Sequence, residues 1–325
     1  MFILHSPSNA TLIAASSPHP TMVASKKRNL LLCFDAFGTL FRPKGSVVQQ
    51  YAHVARQCGI TGFSEDQLAT HLTAAIRHER AENPNYGKAT GLGATRWWTN
   101  VIHNTFTPLI PEQQPFPPAL VPALMHRFAS NEGYDAQPDL VSALRALRRP
   151  GAWHALDEVV VGVVTNSDDR VPSILSSLGL RVSPLRYSDD AHAVPPPQEA
   201  YDVDFHCMSY DVGCEKPDVR IFRAAESMLT RIVAAREGPV PAAESWYKVY
   251  VGDEHAKDVI GATGAGWFPI LLDADTEASA VAKLEDLPDR SISAVVRRHP
   301  VVRVPSIPAL ASWLSGPQWA SDQHP

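Results

Sequence analysis

The stretch LLLCFDAFGTL, residues 30–40, places five apolar residues directly before an aspartate, with a glycine and a threonine close behind. An uninterrupted apolar run that ends at a polar residue is typical of a strand buried on both faces of a parallel sheet. Similar runs, each of which predicts a further strand, lie at 159–164, 249–251, 268–272 and 294–296. The sequence therefore predicts an α/β fold whose parallel sheet is covered on both faces.

Helical periodicity separates these runs and also fills one long segment that contains no convincing strand. Helices that would cross between strands are predicted at 138–147, 170–178, 217–236 and 254–265. The long segment, residues 45–130, has helical periodicity near 46–57, 64–82, 94–106 and 117–129. We interpret residues 45–130 as a helical insertion into a core formed by residues 26–44 and 131–315.

Two other segments differ from the core in composition. Residues 1–25 are rich in Ser, Thr, Pro and Ala and carry no Lys, Arg, Asp or Glu, which predicts a disordered tail. They match neither a transit peptide nor a secretory signal well, but they leave organelle targeting open. Residues 183–204 contain three consecutive prolines, at 195–197, and several acidic residues, which predicts an exposed insertion loop outside the sheet.

Charge and cysteine content exclude several classes of partner and suggest a location for the 325-residue chain. Lys and Arg number 29 against 34 Asp and Glu, and this lack of a basic excess argues against nucleic-acid binding. No apolar run approaches the ~20 residues that a membrane span requires, so no membrane partner is predicted. Four cysteines without a CxxC pair indicate a reducing compartment, which predicts an intracellular, cytoplasmic location. No feature of the sequence indicates an oligomeric state.

Polar residues follow the predicted strands at four places. In an open parallel sheet, ligands bind beyond the carboxyl ends of the strands. Candidate ligand-binding residues there are Asp35, Thr165, Lys216, Asp253 and Asp258. Each one alone is explained equally well by a helix cap or a turn. All of them together, in this order and near strand ends, favour a functional site.

This order of residues resembles the motifs of the haloacid dehalogenase-like hydrolase superfamily, over roughly residues 28–315. The resemblance implies a Rossmann-like core with a helical cap inserted after the first motif. It also implies that Asp35 is the nucleophile, and that Thr165 and Lys216 hold the transferring group. Asn166, beside Thr165, is assigned to substrate binding with them.

The resemblance further implies a Mg²⁺ cofactor. Asp35, the backbone carbonyl of Phe37 and Asp253 would supply ligands, and Asp258 would complete or support the site. Such a set suits Mg²⁺, which binds through a few carboxylates together with carbonyl, water and phosphate oxygens. A small phosphorylated metabolite, hydrolysed through an aspartyl-phosphate, is the substrate that this reading predicts.

A closer resemblance lies in residues 83–98, where NPNYG at 83–87, GLG at 91–93 and RWW at 96–98 are similar to the cap of the haloacid dehalogenase-like hydrolase domain-containing protein 3 group. That match refines the fold more than the reaction. The tryptophan pair either packs the core of the cap or lines a pocket.

One position departs from the superfamily pattern. Where the family normally has a second aspartate that acts as general acid and base, this chain has Phe37, which cannot move a proton. Loss of a positioned acid–base group typically costs about 10²–10⁴-fold in rate. Three interpretations follow: a phosphatase that is slow or has an unusual substrate, a 2-haloacid dehalogenase-like hydrolase, and a non-enzymatic binding protein that keeps the fold.

Overall fold

A computed structural model describes residues 29–148, 158–188, 194, 201–237, 246–273, 281–288 and 291–315. The tail predicted at 1–25 lies outside these residues, as does half of the predicted loop at 183–204. Within the described ranges, no helix is both long enough and apolar enough to cross a bilayer.

The strands build one large parallel sheet and one small antiparallel pair. They are β1 Asn29–Phe34, β2 Phe41–Pro43, β3 Tyr134–Ala136, β4 Glu158–Thr165, β5 Phe205–Met208, β6 Trp246–Gly252, β7 Phe268–Leu272 and β8 Val302–Val304. Six of them form the parallel sheet in the order β5-β4-β1-β6-β7-β8, and β2 pairs with β3. All six residues of β1 are buried, as expected for a central strand covered on both faces. The predicted α/β class with a parallel sheet is confirmed.

Helices cover the sheet and fill the long segment between β2 and β3. They are α1 Val47–Gln57, α2 Glu65–Glu82, α3 Pro84–Gly87, α4 Ala94–Phe106, α5 Leu120–Arg127, α6 Leu140–Ala146, α7 Val171–Ser177, α8 Ser209–Val212, α9 Val219–Glu237, α10 Ile260–Gly264, α11 Ile292–Arg298 and α12 Ile307–Leu314. Local signals set their starts: Ser64, for example, makes a reciprocal capping box with Gln67 at the beginning of α2. We call α1–α5 the helical insertion. Its division from the core at residues 45 and 130 stays a prediction.

A turn of the helical insertion binds the core through its side chains. Asn85 and Tyr86 have positive φ angles of 48° and 59°, a conformation that non-glycine residues rarely adopt. The Asn85 amide donates a hydrogen bond to the carbonyl of Ser209 at 2.9 Å, and Lys88 donates to the carbonyl of Asp211. The insertion is thereby joined to α8, shortly before Lys216.

Two details of the predicted sheet are wrong. Residues 294–296 belong to α11, because Ser291 caps that helix by accepting a hydrogen bond from the Ala294 amide. The edge strand β8 lies further on, and β5 was not predicted because its four residues include a histidine. At the described ends of the segment 183–204, Pro184 is exposed, but five residues are buried: Ser183, Leu185, Asp202, Val203 and Asp204. Isolated bridges join Val182 to Val203 and Arg186 to His206.

His206, in β5, is a buried neutral histidine whose Nε2 atom has no hydrogen-bond partner among the described residues. Burial lowers its pKa from 6.5 to about 4, helped by the nearby Arg186 and opposed by a hydrogen bond to the Leu185 carbonyl. Unfolded chains therefore bind a proton between these pH values that folded chains do not.

We expect the free energy of unfolding to fall by about 2 kcal/mol through this residue as the pH drops from 7 to 5. Urea unfolding at pH 7 and pH 5 gives the change in unfolding free energy for the wild type and for His206→Gln. The difference between the two changes is the contribution of His206. His126→Gln is the matched control, because that side chain is 71% exposed. Equal pH dependence in wild type and His206→Gln would contradict the expectation.

Candidate active site

Three neighbouring strands end at the same edge of the sheet and deliver the candidate residues there. In the register of the sheet, Phe34 of β1 lies level with Val163 of β4 and Val251 of β6. Asp35 and Thr165 come just after that level, so they emerge side by side. The order β4-β1-β6 explains why residues far apart in the sequence meet at this edge.

An acidic cluster forms at this edge from Asp35, Asp253 and Asp258. Each contributes a carboxylate oxygen, and these atoms all lie within 4.8 Å of one another. Two glycines permit the close approach. A Cβ at Gly38, whose φ is +83°, would lie 2.1 Å from an Asp253 oxygen, and one at Gly252 would lie 2.2 Å from an Asp258 oxygen. The backbone is therefore shaped to admit these carboxylates.

Lys216 is buried inside the cluster and uses all three of its ammonium protons. Its Nζ lies 2.9 Å from Asp35 Oδ1, 2.8 Å from Asp258 Oδ1 and 2.7 Å from the Tyr250 hydroxyl. Tyr250 in turn donates to the Val164 carbonyl at 2.6 Å. Lys216 as placed holds the carboxylates, and contact with a substrate oxygen would require it to release a partner. The substrate contact assigned to Lys216 stays a prediction.

Burial and charge act against each other in this cluster. Burial by itself would lower the pKa of Lys216, but the carboxylates of Asp35 and Asp258 overcome it and raise the pKa. Burial raises the pKa of Asp253, which the Thr39 hydrogen bond opposes and the Asp35 charge reinforces. Burial also raises the pKa of Asp258, against the effect of Lys216. The cluster thus contains three carboxylates and one ammonium group, and a further cation would help to balance its negative charge.

Asp35 has one oxygen engaged and one available. Its Oδ1 accepts from the Ala36 amide at 2.8 Å and from Lys216, whereas Oδ2 has no hydrogen-bond partner among the described residues. Asp258 differs, because Lys216 takes its Oδ1 and the Glu254 amide takes its Oδ2. Asp253 accepts from the Thr39 hydroxyl at 2.8 Å and is the exposed member of the cluster. Asp35 Oδ2 and Asp253 are therefore the atoms best placed for a metal or a substrate.

Thr165 and Asn166 lie at the end of β4. Thr165 is almost fully buried beside the cluster. The Asn166 side chain binds the backbone of Lys216 twice, accepting from its amide at 2.6 Å and donating to its carbonyl at 3.0 Å. Asn166 thus fixes the lysine segment, and its predicted role in substrate binding, like that of Thr165, stays a prediction.

Phe37 packs among aromatic rings and offers no proton donor to the carboxylates. Its ring packs edge-to-face on Phe41 and Tyr134, with centroids 4.7 Å and 5.7 Å away. These partners belong to β2 and β3, so Phe37 packs on the small strand pair at the base of the helical insertion. The metal contact predicted for its backbone carbonyl stays a prediction.

Comparison with known proteins identifies the family. The family model for the haloacid dehalogenase-like hydrolases matches residues 30–266. The chain belongs to this family. The predicted superfamily resemblance is confirmed.

Relatives of this hydrolase include the predicted group. Haloacid dehalogenase-like hydrolase domain-containing protein 3 of Mus musculus is 28% identical over 271 residues, which cover 83% of this chain and 92% of the mouse protein. An uncharacterized protein of Saccharomyces cerevisiae is 28% identical over 247 residues, covering 76% and 72%. The solved structure of a defluorinating L-2-haloacid dehalogenase matches with a TM-score of 0.52 and 12% identity, covering 88% and 95%, and shows the shared fold.

The two adjacent tryptophans of this hydrolase were considered for core packing or for pocket lining, and they differ in their surroundings. Trp97 is 2% exposed and packs inside the helical insertion, where its Nε1 donates to the carbonyls of Asn83 and Glu79. Trp98 points toward the core, where its Nε1 donates to Asp168 at 2.8 Å. Trp97 is therefore core packing, whereas Trp98 lines a cavity and also joins the insertion to the loop after β4.

Sequence reasoning missed three residues around the site: Tyr250, Asp168 and Arg170. Tyr250 lies inside a strand, where an aromatic residue looks like ordinary core. Asp168 and Arg170 follow Thr165 and Asn166 closely, and two charged residues directly after a strand-end motif were a signal that could have marked them.

Proposed function

We propose that this hydrolase is a Mg²⁺-dependent phosphatase of a small phosphorylated metabolite, acting through an aspartyl-phosphate on Asp35. The observation that supports this best is the excess of carboxylates at the strand edge. Three of them cluster beside one lysine, whose ammonium protons are taken by Asp35, Asp258 and Tyr250. One oxygen of Asp35 has no hydrogen-bond partner among the described residues.

The donor set fits Mg²⁺, a hard cation that prefers carboxylate oxygens. Asp253 and Asp35 Oδ1 would hold it, with the Phe37 carbonyl as a further ligand and Asp258 in support, so that Asp35 Oδ2 remains available to react. When bound, the ion neutralises phosphate charge and so lets two anions approach.

Asp35 Oδ2 attacks the phosphorus, the bond from phosphorus to the ester oxygen breaks, and the alcohol leaves with that electron pair. Lys216 holds Asp35 through Oδ1, which leaves Oδ2 directed toward the substrate. Thr165 binds a phosphate oxygen. Water then attacks the aspartyl-phosphate, which releases inorganic phosphate and restores Asp35. Because the Phe37 side chain has no acidic or basic group, solvent supplies the proton to the leaving alcohol. Solvent also accepts the proton that the attacking water loses.

We also propose that the helical insertion acts as a cap. The Trp98–Asp168 hydrogen bond and the Asn85–Ser209 hydrogen bond hold it over the carboxyl edge of the sheet. A cap of this kind excludes water and admits small molecules rather than protein substrates.

The second candidate, a 2-haloacid dehalogenase, is favoured by Phe37 alone. An aromatic side chain stands where a phosphatase of this family has its proton carrier, and the fold is shared with L-2-haloacid dehalogenases. In that reaction Asp35 would attack the carbon that bears the halogen, and halide would leave. The intact acidic cluster argues against it, because displacing halide from carbon brings no phosphate charge to neutralise.

The test is a panel of phosphorylated metabolites and 2-haloacids, each incubated with and without Mg²⁺. We expect release of inorganic phosphate that stops with excess chelator. Halide release that is unaffected by chelator would instead establish the dehalogenase. Absence of turnover on both classes would support a binding protein.

Replacing Asp253 by asparagine should weaken Mg²⁺ binding by at least about 10-fold, because the site loses its exposed carboxylate. Calorimetric titration of Mg²⁺ into the purified protein measures this directly. Asp286→Asn, at an exposed aspartate, is the matched control and should leave the titration unchanged. Unaltered affinity in Asp253→Asn would remove Asp253 from the metal site.

Replacing Phe37 by aspartate should raise the rate on an alkyl phosphate by as much as about 10²-fold, since it restores a general acid near the leaving oxygen. An activated aryl phosphate needs little protonation, so its gain should be smaller. Phe37→Ala is the control, because it removes the ring from Phe41 and Tyr134 without adding an acid. A Phe37→Asp variant that melts normally but gains on no phosphate ester would count against the phosphatase.

A further inference from the structure

A cavity of about 300 Å³ lies between the helical insertion and the core, beside the acidic cluster. Phe37 and Asn166 form the end nearest the strand edge, and aromatic rings of Tyr51, Tyr86 and Trp98 form other walls. Its volume is at the lower limit of ligand pockets, which run from about 300 to 1,000 Å³. A single ring with short substituents fits such a space.

Arg170 is the one charged residue among those described as lining this cavity. Asp168, fully buried, holds its guanidinium in a fork, accepting from Nε and from Nη2 at 2.8 Å each. The indole of Trp98 covers one face of the guanidinium, 4.4 Å from Cζ to the ring centroid. The arginine is therefore held rigidly by an ion pair and a cation–π contact.

One nitrogen of the Arg170 guanidinium takes no part in the contacts with Asp168. Its Nη1 has no hydrogen-bond partner among the described residues, and it is not sealed from solvent. A fixed donor in an otherwise aromatic and aliphatic cavity is suited to one oxygen acceptor on a ligand. Since Asp168 already neutralises the guanidinium, the cavity has no net positive charge to offset a second buried anion. The acceptor that fits is uncharged.

We propose that this cavity binds the alcohol half of the substrate, and that this half is an apolar, ring-sized group with an uncharged oxygen acceptor for Arg170 Nη1. The assignment of the ring to the leaving alcohol rests on the proposed phosphatase reaction, whereas binding of the ring itself does not. Arg170 is then the residue that selects the substrate.

Phosphate-free alcohols test the cavity separately from the chemistry. The probes are methoxybenzyl alcohols with the methoxy group at each ring position, the corresponding ethylbenzyl and carboxybenzyl alcohols, and glycerol, with binding measured by calorimetry. We expect the best methoxybenzyl alcohol to bind about 10-fold more tightly than its ethyl counterpart, as one hydrogen bond to a charged group allows. Tighter binding of the carboxybenzyl alcohols would overturn the uncharged acceptor, and glycerol binding as well as the aromatic alcohols would overturn the cavity.

Two variants locate the binding. Ile76→Trp fills the cavity from the wall formed by α2 and should abolish binding of every aromatic alcohol. Arg170→Met combined with Asp168→Asn removes both charges together, so that neither is left buried alone, and should erase the methoxy preference while aromatic binding remains. Retained aromatic binding in folded Ile76→Trp, or a retained preference in the double variant, would refute the proposal.

Hydrolysis of acetyl phosphate, which has no alcohol ring, distinguishes the two claims. Mg²⁺-dependent hydrolysis without binding of any aromatic alcohol would leave the phosphatase intact and overturn the cavity assignment. Binding of aromatic alcohols in the predicted order, without hydrolysis of any phosphate, would support the cavity and remove the phosphatase.

Discussion

Asp35→Asn should lower phosphate ester hydrolysis by about 10⁴–10⁶-fold, as in other enzymes that lose a nucleophile or its partner. An amide oxygen does not attack phosphorus, and the only oxygen of Asp35 without a hydrogen-bond partner among the described residues is the Oδ2 that would do so. Acid-quench kinetics should show a protein phosphate that hydroxylamine releases, as expected of an acyl phosphate, in the wild type and none in the variant.

The fold should survive this change, because asparagine keeps an acceptor for the Ala36 amide and for Lys216. A melting temperature within a few degrees of the wild type therefore accompanies the loss. Asp286→Asn, the same substitution at an exposed position, should retain full activity. Wild-type turnover in purified Asp35→Asn would show that Asp35 is not the nucleophile.

Lys216→Met should reduce the free energy of unfolding by about 3–5 kcal/mol, the usual result of removing one member of a buried ion pair. Methionine has a similar length but no charge. Asp35 and Asp258 would then be buried near each other without a counter-charge, and the Tyr250 hydroxyl would lose a donor. Urea unfolding in the presence of a chelator measures the loss.

Two further variants show whether charge causes that loss. Adding Asp258→Asn to Lys216→Met removes one of the unpaired carboxylates, and the double variant should be more stable than Lys216→Met alone. Lys283→Met, at an exposed lysine, should change stability by less than about 0.5 kcal/mol. A Lys216→Met protein as stable as the wild type would mean that the cluster is not balanced by this lysine.

Much of the fold could be predicted because its strands carry a strong local signal. A buried parallel strand such as 30–34 must be apolar throughout, and that requirement is visible in the sequence. Edge strands need fewer apolar residues, and β5 and β8 are short and include polar residues. Their apolar signal is therefore weak, and the apolar run at 294–296 was predicted as a strand in place of β8. A single serine, Ser291, turns that run into a helix, and capping of this kind competes closely with a short apolar pattern.

The candidate site shows a different limit of sequence reasoning. Residues at strand ends, such as Asp35 and Thr165, could be placed because sheet topology brings such ends together. Tyr250 and the Asp168–Arg170 pair could not, since their importance depends on which side chain they meet across the fold. The division of labour between Trp97 and Trp98 was left open for the same reason: adjacent residues on a helix face different directions, and only tertiary packing tells which one meets the core.

The turn that carries Asn85 and Lys88 links two parts of the molecule mechanically. Its side chains hold the carbonyls of Ser209 and Asp211, in the short stretch of backbone that leads to Lys216. If the inserted helices swing away, both carbonyls lose their donors in the same event. Displacement of the insertion would therefore remove donors from the backbone that leads to Lys216, the residue that holds Asp35. Entry of a ligand past the insertion, as proposed, would then also affect the support of the proposed nucleophile.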